Sequence, residues 1–196
     1  MFARVLGLVA LGLLAPVARA DDKAIDLKVG DPAPVFEVTD DQGKGWKAAD
    51  HYGKKYVVLY FYPGDFTPGC TAQANAFKDA MNKLTEQGVE VVGVSGDSVP
   101  THERFKKAQK LNFTLLSDPD GAVAKQFGVP VTKGATVKAK DPDGKPFEFE
   151  RAATLARWTF VIGRDGKIAY KNTKVTPAAD AKAISEFMAK ELEKKK

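Results

Sequence analysis

Cys70 is the sole cysteine in 196 residues, and its surroundings are where the residue types could do chemistry. A thiolate is a strong nucleophile, and a thiol is a poor one. Thr67 stands three positions earlier and Pro68 follows it. That order opens a helix, with Thr67 as cap, Pro68 at the first helical position and Cys70 in the first turn. The Cys70 backbone N–H is then one of the donors a helix start leaves free, and the Thr67 hydroxyl is expected to reach it. The positive end of the helix dipole favours a negative sulfur there. A sulfur so activated can attack an O–O bond. The competing reading of a lone cysteine is a small buried hydrophobe, which needs neither a cap nor a dipole.

The elements around Cys70 follow from periodicity. Tyr56 to Tyr62 is an unbroken aromatic and β-branched run, as central strands buried on both faces show. Val89 to Val94 has the same character. Between them Ala76, Phe77, Ala80, Met81 and Leu84 recur at helical spacing, with Gly88 as the stop. Strand, helix and strand make a βαβ unit with parallel strands. Cys70 then lies just past the carboxyl end of a central strand, where α/β sheets place ligands.

The rest of the chain fits the same pattern. Phe36 to Thr39 and Trp46 flank a turn. A helix is expected from Val99 to Lys110, with Ser98 as its cap. Asp118-Pro119 is expected to open a short helix ending at Gly128. Asp165-Gly166 marks a hairpin between Trp158–Ile162 and Ile168–Tyr170, and Asp143-Gly144 marks a second. Pro177 to Glu193 reads as the last helix. The order predicts an α/β fold with a mixed central sheet and helices on both faces.

Residues 1–20 differ from the rest. Arg4 precedes an apolar run from Val5 to Ala15, and Ala18-Arg19-Ala20 has the form of a cleavage site. This is the layout of a secretory signal peptide, cleaved near Ala20. The apolar run is too short to span a bilayer, so no stable membrane insertion is expected. Residues 21–196 remain as one domain. The formal net charge of +5 drops by two with Arg4 and Arg19, too little to argue for nucleic acid. The terminal Lys194-Lys195-Lys196 reads as a solvated helix end. His51 and His102 have no ligand-like spacing with Cys70. Neither a metal nor a cofactor is expected.

Pro63-x-x-x-Thr67-x-x-Cys70 resembles the active-site signature of the peroxiredoxins. The longer string from Phe61 to Thr71 is similar to the bacterioferritin comigratory protein, or PrxQ, branch. The likeness extends to Val29–Pro34, Val94–Ser98, Leu116–Asp118 and Arg157–Ile162. It implies a thioredoxin-like fold and an antioxidant thiol peroxidase acting on hydrogen peroxide and organic hydroperoxides. It further implies that Cys70 is the peroxidatic nucleophile and that Thr67 hydrogen-bonds the sulfur and the peroxide. Pro63 would shield the site from water, and Arg157 would hold the thiolate and stabilise charge on the oxygens. Gln73, where the branch often has Glu, reads either as a neighbour of the site or as helix surface. Asp65 and Gly64 read as loop-shaping residues.

The chain departs from the branch at Asn75, where many members carry a resolving cysteine. No intramolecular disulfide can form. The oxidised sulfur must meet an external thiol, from a thioredoxin-like protein or a small thiol such as glutathione. Export to the periplasm and a monomeric or weakly dimeric state are expected. Dithiol exchange is excluded, because Thr67 stands where a C-x-x-C motif needs its first cysteine. An exported sensor that signals through Cys70 oxidation is the alternative from another class. Residues 132–156 look longer than is usual for the branch.

Overall fold

The alternation within the Tyr56 run sets the layers of the molecule. In a computed structural model, described for residues 25–141 and 143–194, the chain forms β1 (Glu37–Asp40), β2 (Gly45–Lys47), α1 (Ala48–His51), β3 (Tyr56–Phe61), α2 (Pro68–Glu86) and β4 (Val89–Ser95). It continues through α3 (Val99–Gln109), β5 (Thr114–Ser117), α4 (Ala122–Gln126), β6 (Val131–Lys133), β7 (Thr136–Lys140), β8 (Pro146–Glu150) and β9 (Ala153–Leu155). It ends with β10 (Trp158–Ile162), β11 (Ile168–Asn172), a 3-10 turn at Pro177–Ala179 and α5 (Asp180–Glu193). The expected signal segment, residues 1–20, lies outside the described residues.

Seven strands form one mixed sheet in the order β11-β10-β3-β4-β5-β1-β2. β3, β4 and β5 run parallel, as the βαβ reading requires, and β10 joins β3 antiparallel. Every residue of β3 is buried. Successive side chains point to opposite faces, so Val57, Leu59 and Phe61 pack with Trp46, Phe127 and Phe160 on one side. Tyr56, Val58 and Tyr60 pack on the other, with Phe77 of α2, Phe105 of α3, and Ile184 and Met188 of α5. The α/β class and the helices on both faces agree with the sequence.

Two local expectations change. Asp118-Pro119 forms a turn, and the helix starts only at Ala122. The Asp118 carboxylate reaches forward to accept from the N–H groups of Val123 and Ala124, at 3.0 and 2.9 Å. Thr67 takes the cap position of α2 but makes no capping hydrogen bond. Its hydroxyl donates instead to the Gly64 carbonyl, at 3.1 Å. Both anticipated hairpins form, β10–β11 and β7–β8. Pairing of β6 with β9 across the base of the second hairpin was not foreseen.

Candidate active site

The register of β10 on β3 brings two distant parts of the sequence together. Trp158 pairs with Phe61, so Arg157 stands at the carboxyl end of β3, where the chain turns into α2. Cys70 occupies the first turn of that helix and is 1% exposed. Arg157 donates from Nη2 to Cys70 Sγ at 3.1 Å. The sulfur therefore faces a fixed cation and the positive end of a 19-residue helix, two features that complement negative charge in a reacting group.

Arg157 is itself held. Its Nη1 donates to Gln73 Oε1. Gln73 Nε2 donates to Asp180 Oδ2 at 2.7 Å, and so does the Thr159 hydroxyl at 2.7 Å. Gln73 and Asp180 are buried, which places Gln73 inside the site rather than on the helix surface. Burial pushes the Asp180 carboxyl up, against the hydrogen bonds from Thr159 and Gln73 and the charge of Arg157. Asn75 turns away toward α3, where its amide donates to Gln109 Oε1 at 3.2 Å.

Behind the loop from Pro63 to Thr67 lies a second buried network. His102 Nδ1 meets Asp65 Oδ2 at 2.8 Å, and Nε2 meets the Leu116 carbonyl at 3.1 Å. A carbonyl only accepts, so Nε2 carries a proton. Burial pulls the His102 pKa down. The charge and hydrogen bond of Asp65, with Asp97 and the Leu116 carbonyl, outweigh it, and the net direction is upward. Arg151 Nε donates to Asp97 Oδ1 and Nη2 to the Asp65 carbonyl, each at 2.8 Å. Asp97 Oδ2 accepts from the Asp65 N–H at 2.7 Å and from Ser95 Oγ at 2.8 Å. Tyr62 donates to Asp65 Oδ1 at 2.8 Å. Two carboxylates thus meet an arginine and an imidazole, and together they pin the loop.

Arg157 and Cys70 meet at the carboxyl end of β3; Pro63 and Thr67 lie in the loop between β3 and Cys70, with the Thr67 hydroxyl on the Gly64 carbonyl rather than on the sulfur. Asp65 shapes the loop, as expected, through buried hydrogen bonds to Tyr62 and His102. The sequence reading missed Asp97, His102, Arg151 and Asp180. One signal was present: Asp65 and Asp97 each follow the carboxyl end of a central strand. Among the described residues no group of three or more His, Cys, Asp or Glu side chains is placed to hold a metal.

Residues 29–171 match the AhpC/TSA family. A protein of Coxiella burnetii called putative peroxiredoxin bcp is 42% identical over 144 residues, 74% of this chain and 87% of its own length. Peroxiredoxin Bcp of Escherichia coli K12 is 42% identical over 142 residues, 72% of this chain and 83% of its own. Among solved structures, peroxidoxin BcpB of Mycobacterium tuberculosis aligns with a TM-score of 0.69 at 30% identity, covering 84% of this chain and 98% of that one. The bacterioferritin comigratory protein of Xanthomonas campestris aligns with a TM-score of 0.68 at 28% identity, covering 85% and 99%.

Proposed function

The chain belongs to the AhpC/TSA family and is a thiol peroxidase of the peroxiredoxin type, and we propose that it works with Cys70 alone. One observation carries the assignment of the nucleophile: the sole thiol sits in a helix's first turn, 3.1 Å from a guanidinium nitrogen. The Cys70 thiolate attacks the terminal oxygen of a hydroperoxide. An S–O bond forms, the O–O bond breaks, and the leaving oxygen takes a proton to depart as water or an alcohol. The sulfur becomes a sulfenic acid. Arg157 stabilises the charge that develops on the two oxygens, Pro63 keeps water out and Thr67 orients the peroxide.

Recycling needs two external thiols. The first condenses with the sulfenic acid, releasing water and leaving a mixed disulfide. The second reduces that disulfide and restores Cys70. A thioredoxin-like protein or a small thiol such as glutathione supplies them. The leader-like residues 1–20 support export to the periplasm, where the remaining chain acts as a monomer or weak dimer against hydrogen peroxide and organic hydroperoxides.

Two measurements test this. Cys70→Ser should consume no peroxide while keeping its fold by circular dichroism; retention of most activity refutes the assignment. One equivalent of peroxide followed by a sulfenic-acid trap should give a single labelled monomer by intact mass. A disulfide-linked dimer as the main product would mean that the chain resolves through its own twin.

A further inference from the structure

We propose that Asp180 is a positioning residue: it fixes the orientation of the Gln73 amide and, through it, aims Arg157 at the Cys70 sulfur. The inference rests on Cys70 being the reactive thiol. An amide can face its neighbours either way round, and the choice matters here. Gln73 lies between a guanidinium, which can only donate, and a carboxylate, which when ionised can only accept. Asp180 Oδ2 accepts from Gln73 Nε2 at 2.7 Å. The amide nitrogen is thereby committed to Asp180, and Oε1 is turned to accept from Arg157 Nη1. Arg157 Nη2 is left to reach Sγ at 3.1 Å.

The chain of contacts is built from rigid parts. Gln73 is on α2, three residues after Cys70. Thr159 of β10 is two residues after Arg157, which immediately precedes that strand, and donates to the same Asp180 oxygen at 2.7 Å. Asp180 begins α5, is 2% exposed, and couples the last helix to the site. Its Oδ1 has no hydrogen-bond partner among the described residues. A buried carboxylate oxygen left unsatisfied is a cost that helix capping does not explain, since α5 has no side-chain cap hydrogen bond. Without Asp180 the amide can rotate and present its NH₂ to the guanidinium. Two donors would then oppose each other, and Arg157 would swing off the sulfur.

The test compares wild type, Asp180→Ala, Asp180→Asn, Gln73→Ala and the Asp180→Ala/Gln73→Ala double variant. Two rates are read for each: peroxide reduction by stopped flow, and Cys70 alkylation by iodoacetamide. Asp180→Ala should slow both by about tenfold, below the ~10²-fold that a 1 Å misplacement of a catalytic group can cost. Asp180→Asn, whose oxygen can still accept from Gln73, should recover most of that loss. The double variant should be no slower than Gln73→Ala alone, since Asp180 acts only through Gln73. Asp180→Ser, too short to reach Gln73, replaces Asp180→Ala if the latter does not fold. Unchanged rates, multiplying losses or an Asn variant as slow as Ala each overturn the proposal. If wild type ignores peroxide yet alkylation follows the expected pattern, the peroxidase reading fails and the positioning role stands. If peroxide is consumed and neither rate responds to Asp180, the reverse holds.

Discussion

At the scale of single residues, the site is one thiol and one guanidinium whose geometry leaves little freedom. Arg157 bridges Gln73 and Cys70 with separate nitrogens, which a forked, planar group can do and a lysine ammonium cannot do in the same way. Arg157→Ala should lower the second-order rate with hydrogen peroxide by about 10²–10³, the usual scale for loss of one donor aimed at developing charge. Arg157→Lys should recover only part of it, because it restores charge without the bridge. Stopped-flow traces at fixed pH decide; an Ala variant within threefold of wild type would remove Arg157 from the mechanism. Cys70 and Arg157 were legible because a helix-start thiol carries a local pattern and the late strand carries a resemblance. Asp180 was not. In sequence it reads as one more polar residue at a helix start, and only the packing of α5 on α2 reveals what it touches.

At the scale of elements, the loop between β3 and α2 is held from behind by a residue that arrives late in the chain. Arg151 sits between β8 and β9, in a segment whose length stood out in the sequence without explaining itself. The β7–β8 hairpin and the β6–β9 pair bring it back over the loop, where it bonds Asp97 and the Asp65 carbonyl. Gly64 is what lets it approach: a Cβ there would lie 2.0 Å from Arg151 Cζ. Arg151→Ala leaves two buried carboxyl groups without the guanidinium, with the His102 ring on Asp65 as the basic side chain left in the network. Breaking a buried pair from one side costs about 3–5 kcal/mol. Urea denaturation should show a loss of that order, accompanied by slower peroxide reduction as the loop loosens. A variant as stable as wild type would mean that Asp97 has another partner. The hairpins were legible from Asp-Gly turns because turn chemistry is local. The β6–β9 pairing, three residues on each strand, carries too short a pattern to read. Nor could the clamp be read, since Asp65, Asp97, His102 and Arg151 come from four separate segments, and aspartate and arginine are types that are mostly exposed.

At the scale of the whole molecule, the buried polar groups set how stability responds to pH. Asp97, Asp118, Asp180 and His102 all have pKa values raised by the fold. For the three carboxyls burial is the leading cause. For His102 burial acts the other way and is outweighed, chiefly by Asp65. A raised pKa means that the folded chain binds the proton more tightly than the unfolded chain, so stability falls as pH rises. The carboxyl share of that fall begins above the ordinary carboxylate value of about 4. The His102 share is fully present below about 6.5, the unfolded value, and is lost as pH climbs through the folded pKa. The groups facing the ring set that direction: Asp65 meets one ring nitrogen and the Leu116 carbonyl the other, with Asp97 close by and Arg151 opposing from the far side of the carboxylates. The urea midpoint should therefore decline between pH 6.5 and 9, measured in the Cys70→Ser protein so that the thiol does not contribute. His102→Asn should be less stable at pH 6 and should flatten the decline, since its amide cannot gain or lose a proton. A midpoint that holds level or rises over that range in the protein with His102 intact would show that the histidine is neutral, and that Asp65 and Asp97 rely on Arg151 for their positive charge.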